Sequence, residues 1–248
     1  MNYTIATSWN ELNTWQLSKV SKLIFTKVSS DVLKYRLVYI LFMIRPGLIH
    51  TLKVFYLLIS VPLSELYVYA KFMVETSDLT HFPKTLTYRG KKLYGPEARL
   101  SNITIDQFSF ADVFYYRWCK TRDDSDLNRL ISVLYFPKGK GFSREEKNLR
   151  HSSIVKKMPM GIKLTVLMAY MGSRSVLAAS FKNVFPKKKG DSKAEYSSFD
   201  KILYNMALSE NQPFGHLYAT KQAKLYDFMN VLDLDLANQK ELKAKYGN

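Results

Sequence analysis

Apolar residues recur at every third or fourth position through the N-terminal third of the chain, and this spacing predicts amphipathic helices. Asn13 or Thr14 can cap the first helix, because a short polar side chain accepts hydrogen bonds from N–H groups that lack a partner within the helix. Further helices are predicted at about 30–44, at about 48–60 and directly after Pro62, a residue that fits the first turn of a helix.

The helical spacing gives way to alternating residues around Arg89 and Gly90, which are preceded by "TLTY" and followed by "KKLY". Alternation of this kind is typical of strands, and a glycine in a two-residue connection permits the positive φ that a tight hairpin turn needs. This stretch therefore predicts a short β-hairpin.

Helical spacing returns after the hairpin and continues towards the C-terminus. The acidic stretch from Asp123 to Asp126 suits a helix start, since negative side chains are favoured at the positive end of the helix dipole. Pro137 is predicted to stop that helix. The remaining helices are expected at about 105–120, 158–181, 198–209 and 220–232, followed by a helical tail. The sequence therefore predicts a mostly α protein, a helical bundle of about eight helices with one small β-hairpin insertion.

Composition divides the chain into five regions. They are an N-terminal helical region (1–80), a β-hairpin and loop insertion (81–100), a central helical region (101–185) with a basic loop (137–160), a basic linker (186–198), and C-terminal helices with a tail (199–248). A chain of 248 residues with 47% hydrophobic content can form one large domain or two small ones.

The most apolar stretch, 37–63, raises the question of a membrane helix. A membrane-spanning helix needs about 20 nearly uninterrupted apolar residues, and this stretch is interrupted by Arg45, Pro46, His50, Lys53 and Pro62. We expect two buried helices joined by "RPG", because proline disfavours helix in the residue before it and glycine permits a turn. A membrane-associated protein that uses this stretch is the alternative.

Two helix openings in the chain resemble each other. In register, "WNELNTWQLS" near the N-terminus and "LSNITIDQFS" after the hairpin pair Asn13 with Thr104 and Gln16 with Gln107. An apolar residue, a polar cap and then a helix account for most of the likeness, since helix starts favour this order. The sequences beyond the openings do not stay in register, so we expect no true repeat. We interpret the openings as the starts of two helical layers on either side of the hairpin.

The charge of the chain is strongly positive and uneven. The net charge is +16, and the segment 137–193 holds 14 Lys or Arg residues against three acidic ones, so +11 of the excess lies there. Such a field attracts nucleic acid, an anionic membrane or an acidic protein. The single cysteine, Cys119, excludes an internal disulfide and fits folding in a reducing compartment.

We predict that basic side chains of this segment form an interaction surface. Each contact with a phosphate would add salt-dependent affinity for nucleic acid, and an acidic protein would satisfy the charge equally well. A solvated loop with partner contacts is the competing interpretation, because Phe142 is the only aromatic residue inside the first cluster. The predicted surface, called the basic surface below, consists of Lys138, Lys140, Arg144, Lys147, Arg150, Lys156, Lys157, Lys187, Lys188, Lys189 and Lys193.

No pattern in the sequence predicts catalysis. The four histidines, His50, His81, His151 and His216, form no zinc-binding pattern with one another or with Cys119. The stretch "GKGFS" lacks the ending that lets a phosphate loop hold a nucleotide. A carboxylate metal site in "DDSD" competes with the simpler interpretation of a capped helix start. The sequence therefore predicts a non-enzymatic protein with no catalytic, cofactor-binding or metal site.

Four motifs follow one another along the chain. They are an early Ser-Trp-x-Glu-Leu opening, "GPEARLSNITIDQF" after the hairpin, "LNRLISVLYFP" before the basic loop, and "MPMGIKLTVLMAYMG" after it. This order resembles that of a loose group of proteins encoded in the virion and tail gene clusters of tailed bacteriophages, including phages of Bacteroidetes hosts. Some members look like tail assembly chaperones. The resemblance covers about 3–185 and rests on apolar anchors and helix caps.

The resemblance implies a role in tail or neck morphogenesis, or residence in the virion, and carries over no catalytic residue. It implies other virion or tail proteins as partners in an oligomeric assembly, located in the virion or in the host cytoplasm during assembly. The positive charge departs from that of a soluble chaperone and fits better beside packaged DNA or an acidic virion subunit. We therefore predict a non-enzymatic phage structural or assembly protein acting through protein–protein contacts. The alternative is a nucleic-acid-binding accessory protein that uses 137–193.

Overall fold

A computed structural model describes residues 5–75, 77–143, 152–186 and 199–246. These residues form eleven α-helices, three short 3-10 turns and one two-stranded antiparallel hairpin. The prediction of a mostly α fold with one small β-hairpin is confirmed. The described helices outnumber the eight expected partly because two of them have only five and six residues, too few for a clear helical period in the sequence.

The elements follow one another along the chain. The first are α1 (Thr14–Ile24), α2 (Ser30–Phe42), α3 (Leu48–Ser60), α4 (Leu63–Ala70), β1 (Thr85–Tyr88), β2 (Lys91–Tyr94) and α5 (Ile105–Thr121). The others are α6 (Asp124–Leu134), α7 (Ser152–Lys156), α8 (Met160–Ser180), α9 (Phe199–Leu208), α10 (Leu217–Gln222) and α11 (Leu225–Tyr246).

Contacts within the chain divide it into two compact units. The first comprises Met1–Pro83 and Met158–Gly172, and the second comprises Lys84–Lys157 and Ser173–Asn248. Helix α8 supplies residues to both units, because the division falls after Gly172.

A short turn before α1 fixes the start of the first unit. Trp9 is buried, and its indole Nε1 donates to the carbonyl oxygen of Phe72 at 3.1 Å. Asn10 Oδ1 accepts hydrogen bonds from the backbone N–H groups of Thr80 and His81, both at 3.0 Å. The N-terminal opening therefore holds a segment that lies more than 60 residues later in the chain.

Asn13 caps α1, as the sequence predicts. Its Oδ1 accepts from the N–H groups of Trp15 and Gln16, and the Gln16 side chain accepts in return from the Asn13 N–H. Gln16 Nε2 also donates to the carbonyl oxygens of Ile40 at 3.1 Å and Leu41 at 2.9 Å, in the last turn of α2. Gln16 thus completes the start of one helix and the end of the next, where carbonyl groups have no partner within the helix.

Two glycines let α8 lie close to its neighbours in the first unit. A Cβ at Gly161 would overlap α1, and a Cβ at Gly172 would overlap the backbone of Leu79. Between these positions, Ser21 Oγ and Thr165 Oγ1 are hydrogen-bonded at 3.2 Å. This part of α8 therefore packs through close backbone approach and one buried hydroxyl pair.

The apolar stretch 37–63 forms two helices that are separated at the predicted break, since α2 ends at Phe42 and α3 begins at Leu48. Of the helices in the described residues, none is both long and apolar enough to cross a membrane. The prediction that both helices are buried is wrong. The second half of α2 is mostly buried, but α3 buries only Val54. Apolar residues lie on both sides of α3, and the described chain covers only one narrow side.

The hairpin of the second unit matches its prediction, including the turn. Leu86 of β1 lies opposite Leu93 of β2, and both leucines are buried. Arg89 and Gly90 have φ values of 47° and 76°. Positive φ at both central residues is what a type I′ turn requires, and this turn matches the natural twist of paired strands.

A further extended segment pairs with β2. The N–H of Tyr94 donates to the carbonyl of Phe136 at 2.7 Å, and the N–H of Phe136 donates to the carbonyl of Tyr94 at 3.1 Å. Helix α6 therefore ends at Leu134. Pro137 alone would have let the helix continue closer to the proline. The residue before a proline favours extended backbone, which suits Phe136 to this pairing.

Gln107 in α5 repeats the role of Gln16. Thr104 caps α5, and its Oγ1 accepts from the Gln107 N–H at 3.2 Å. Gln107 Nε2 donates to the carbonyl of Val133 at 2.8 Å, in the last turn of α6. The two similar openings therefore share more than a cap. Each places a glutamine that bonds to the end of the following helix, and each starts a helical pair in its own unit.

Aromatic rings and one carboxylate link the C-terminal helices to the second unit. The ring of Phe199 in α9 lies 5.5 Å from that of Phe108 in α5 and 6.1 Å from that of Phe185, measured between centroids. Asp233 of α11 accepts from the backbone N–H of Asn183 at 2.9 Å. These contacts hold α9 and α11 to the rest of the unit.

The sequence predicts one closing helix at 220–232, whereas the structure has two, α10 and α11. Where they meet, the carbonyl of Ala223 accepts from the N–H of Ile105, and the N–H of Leu225 donates to the carbonyl of Ile103, both at 3.0 Å. The helix is interrupted because these backbone groups bond to the start of α5. Helix α11 continues without interruption to Tyr246, through the stretch expected to form a helical tail.

Candidate interaction surfaces

Four residues of the basic surface lie within the described chain, and all four are exposed: Lys138, Lys140, Lys156 and Lys157. All four belong to the second unit. The structure therefore places two pairs of lysines, and a single continuous basic surface stays a prediction. The other seven, Arg144, Lys147, Arg150, Lys187, Lys188, Lys189 and Lys193, lie outside the described residues.

Lys138 and Lys140 stand on either side of Gly139 in a tight turn. The N–H of Lys140 donates to the carbonyl of Pro137 at 3.0 Å. Gly139 has a φ of 73°, a left-handed conformation that glycine adopts without strain. The backbone of this turn therefore fixes the positions from which both lysine side chains project.

A cleft of about 270 Å³ opens beside this turn. Its lining includes 137–142, Tyr94 from β2, and Asn102 and Gln107 near the start of α5. Tyr94 is 42% exposed and lines the same cleft as the two lysines. Lysine ammonium groups and an aromatic ring on the same cleft can together hold a phosphate group and a stacked base, and the ammonium groups can also hold a carboxylate.

Six apolar side chains of α3 are more than half exposed. A contiguous apolar patch is more informative than scattered exposed residues, because monomeric proteins rarely leave large patches in water. We call this patch the α3 apolar surface. It consists of Leu48, Ile49, Leu52, Phe55, Tyr56 and Ile59, with exposed fractions between 58% and 77%.

The opposite side of α3 is packed. Val54 is buried, and His50, Leu57 and Leu58 are half-buried. With 3.6 residues per turn, these four positions lie across the helix from most of the α3 apolar surface. Packing on one side therefore leaves the apolar side chains of the other side in water.

The chain around α3 carries positive charge only. No acidic residue lies between Asp31 and Glu65, whereas this stretch holds four Lys or Arg residues. Arg45 and Lys53, before and within α3, are both exposed. Basic groups therefore accompany the α3 apolar surface.

A buried ion pair joins α5 to the C-terminal part of α8 in the second unit. Arg174 Nε donates to Asp112 Oδ1 at 2.6 Å, and Asp112 is fully buried. The guanidinium lies 5.7 Å from the ring centroid of Tyr115 and 5.6 Å from that of Phe185. Burial raises the pKa of Tyr115 to about 12, and the neighbouring Cys119 contributes to the increase. Because the Asp112 carboxylate is closed to solvent, we interpret the pair as a structural link.

The acidic stretch at the start of α6 is a helix cap, as predicted. Asp123 Oδ1 accepts from the N–H of Ser125 at 2.8 Å, and Asp123 Oδ2 accepts from the Ser125 hydroxyl at 2.6 Å. These hydrogen bonds lower the pKa of Asp123. Within the part of the chain that the structure describes, no three His, Cys, Asp or Glu side chains are grouped so that they could hold a metal ion.

No protein-family model, curated protein sequence or solved structure matches this chain. The two surfaces are therefore the basis for a functional proposal. The sequence predicts the basic surface from charge alone. It does not predict the α3 apolar surface, because this helix is expected to be buried. Its signal is present in the sequence, since α3 carries apolar residues around most of its circumference and a core-facing helix needs them on one side.

Proposed function

We propose that this chain is a non-enzymatic structural or assembly protein of a phage tail or neck that acts through protein–protein contacts. The observation that carries the proposal is the α3 apolar surface, whose six side chains are more than half exposed. Burial of apolar surface contributes about 25 cal/mol per Å². A partner that covers these side chains therefore gains affinity from their removal from water, as a subunit does in an assembly.

The phage context of the proposal rests on the order of sequence motifs. Residues of these motifs build the fold: Trp9 anchors the N-terminal turn, Thr104 caps α5, and Gln107 bonds to the end of α6. Their roles are structural, which suits a chain that works through its surfaces. We place it in the virion tail or neck, or in the host cytoplasm during assembly.

The basic surface provides a second kind of contact. Its four described lysines are exposed, and the chain as a whole carries a net charge of +16. A positive field of this kind speeds encounter with an acidic partner and disfavours basic ones. The partners that we propose are other virion or tail proteins, in an oligomeric assembly.

Quantitative mass spectrometry of purified phage particles tests this proposal. A copy number similar to that of the tail subunits would identify a component of the particle. A chain that is absent from particles, but elutes with tail subunits from extracts of infected cells, would be an assembly factor. A chain found neither in the particles nor with tail subunits would contradict the proposal.

A nucleic-acid-binding accessory protein is the second candidate, and the cleft beside the lysine turn favours it. Lys138 and Lys140 can contact phosphates, and the ring of Tyr94 offers a base a stacking surface. Such stacking contributes about 1–3 kcal/mol per base in proteins that bind single strands. This candidate would use the second unit and not α3.

Replacement of both turn lysines (Lys138→Gln with Lys140→Gln) is expected to weaken binding to a single-stranded oligonucleotide and to flatten its salt dependence. Each phosphate contact contributes about 0.7 to the slope of log affinity against log salt, so the slope should fall by about 1.4. Fluorescence anisotropy at several salt concentrations measures this slope. Lys243→Gln with Lys245→Gln removes the same charge from α11 and should leave the slope unchanged. Equal effects from both pairs, or no binding at low salt, would reject the candidate.

A further inference from the structure

Four residues of the α3 apolar surface form a continuous seam along the helix. Leu48, Leu52, Phe55 and Ile59 are separated by four, three and four positions. Apolar residues at alternating spacings of four and three occupy the contact positions of paired helices, where each side chain inserts between side chains of the facing helix. The other two members of the surface widen the seam on one side. The shape that complements this seam is therefore another helix.

The seam is accessible without any change in the described packing. Leu52 and Phe55, at its centre, are 59% and 58% exposed, whereas Val54 on the opposite side is 1% exposed. A helix lying along the seam would cover side chains that already face water. The contact can extend along about 20 Å, the length of the 13 residues of α3.

The charge beside the seam selects among possible partners. α3 carries His50 and Lys53 with no acidic residue, and the exposed Arg45 precedes it. A partner with carboxylates on the flanks of its own apolar seam would bring opposite charges together. A second copy of this chain would bring like charges together on molecules with a net charge of +16, which disfavours that pairing.

We propose that the α3 apolar surface binds an amphipathic helix of an acidic partner protein. The partner helix carries apolar residues at alternating spacings of three and four, with Asp or Glu on both flanks of this seam. The inference rests on the proposed role in assembly and adds the chemistry of the partner. It is a helix-on-helix contact, in which buried apolar residues supply affinity and flanking charges supply specificity.

Two synthetic peptides of about three heptads serve as probes. Both carry leucine at the seam positions, and they differ only at the flanking positions, which are Glu in one peptide and Lys in the other. Fluorescence anisotropy measures their binding to the full-length protein. We expect the acidic peptide to bind about tenfold more tightly or better, and we expect this preference to shrink as salt increases, since salt screens exposed charges.

The double substitution Leu52→Gln with Phe55→Gln is expected to weaken binding of the acidic peptide by about tenfold or more, as truncation of central interface residues does. Both side chains are more than half exposed, so the thermal midpoint followed by circular dichroism should stay unchanged. Leu208→Gln is the matched control, because Leu208 is an apolar residue of α9 that is 78% exposed. This control should bind the peptide as the unaltered protein does.

Equal affinity for the two peptides would overturn the inference, and so would a doubly substituted protein that binds the acidic peptide normally. Binding to vesicles of phosphatidylcholine and phosphatidylserine that depends on Leu52 and Phe55 would overturn it in favour of a lipid surface. A dimer that depends on the same residues, seen by light scattering, would overturn it in favour of a second copy. Any of these results leaves the proposed function standing if mass spectrometry finds the chain in particles or with tail subunits.

Discussion

Replacement of Arg174 by methionine is expected to lower the free energy of unfolding by about 3 kcal/mol. Asp112 is fully buried, and the Arg174 guanidinium that neutralises it lies 2.6 Å away. Removal of one member of a buried ion pair costs about 3–5 kcal/mol, because the remaining charge stays in a poorly solvated place. We expect the lower end of this range, since the Arg174 side chain is 31% exposed and water already screens part of the interaction.

Urea denaturation followed by circular dichroism measures this loss for Arg174→Met. Arg117→Met is the matched control, because Arg117 is exposed and lies on the same helix as Asp112. This substitution should change the free energy of unfolding by less than about 0.5 kcal/mol. Arg174→Lys keeps the charge but loses the planar group over Tyr115 and Phe185, so its effect should be intermediate. If Arg174→Met had the same small effect as the control, the ion pair would not be an important link.

The substitution Gly172→Ala is expected to destabilise the protein by about 2 kcal/mol, although alanine is the better helix former. Alanine gains about 1 kcal/mol over glycine in a helix interior. The new Cβ would, however, overlap the carbonyl group of Leu79, which is backbone and has no other rotamer. Overpacking that forces the backbone to shift costs about 1–3 kcal/mol, and overlap with a carbonyl group places this cost at the upper end, about 3 kcal/mol. The steric cost therefore exceeds the gain in helix propensity.

Thermal unfolding compares Gly172→Ala with Gly141→Ala, where an added Cβ meets nothing within 4 Å. A loss of about 2 kcal/mol corresponds to a fall of about 4–8 °C in the midpoint for a chain of this size. The Gly141→Ala midpoint should stay within about 1 °C of the original, because a surface substitution away from contacts has little effect. A midpoint that rises for Gly172→Ala would show that Leu79 moves aside at little cost.

The helix starts and the hairpin turn could be predicted because their signals lie within a few residues. Asn13, Thr104 and Asp123 are short polar residues placed directly before helical spacing, and each accepts backbone hydrogen bonds at a helix start. Arg89 and Gly90 separate two alternating stretches by the length of a tight turn, and both have positive φ. Sequence spacing alone is enough for such features.

The remaining features depend on residues that are distant in the chain. The end of α6 follows from the pairing of Phe136 with Tyr94, and the break between α10 and α11 follows from bonds to the start of α5. The exposure of α3 could not be predicted from the sequence for the same reason. The periodicity identifies Leu52 and Phe55 as apolar, but it does not tell whether another element reaches them. The basic surface could be predicted by charge, while its arrangement depends on how the chain folds around it.

Gln16 and Gln107 each tie the first turn of one helix to the last turn of the helix that follows. Helix ends are usually the first parts of a helix to fray, because their terminal backbone groups have no partner within the helix. Here the amide that satisfies those terminal carbonyls belongs to the neighbouring helix. Loss of the first turn of α1 would therefore remove the side-chain hydrogen bonds to Ile40 and Leu41 at the end of α2, and the bond from Gln107 couples α5 to α6 in the same way. In each pair, opening of either end therefore costs the other end hydrogen bonds, so the two ends are energetically coupled.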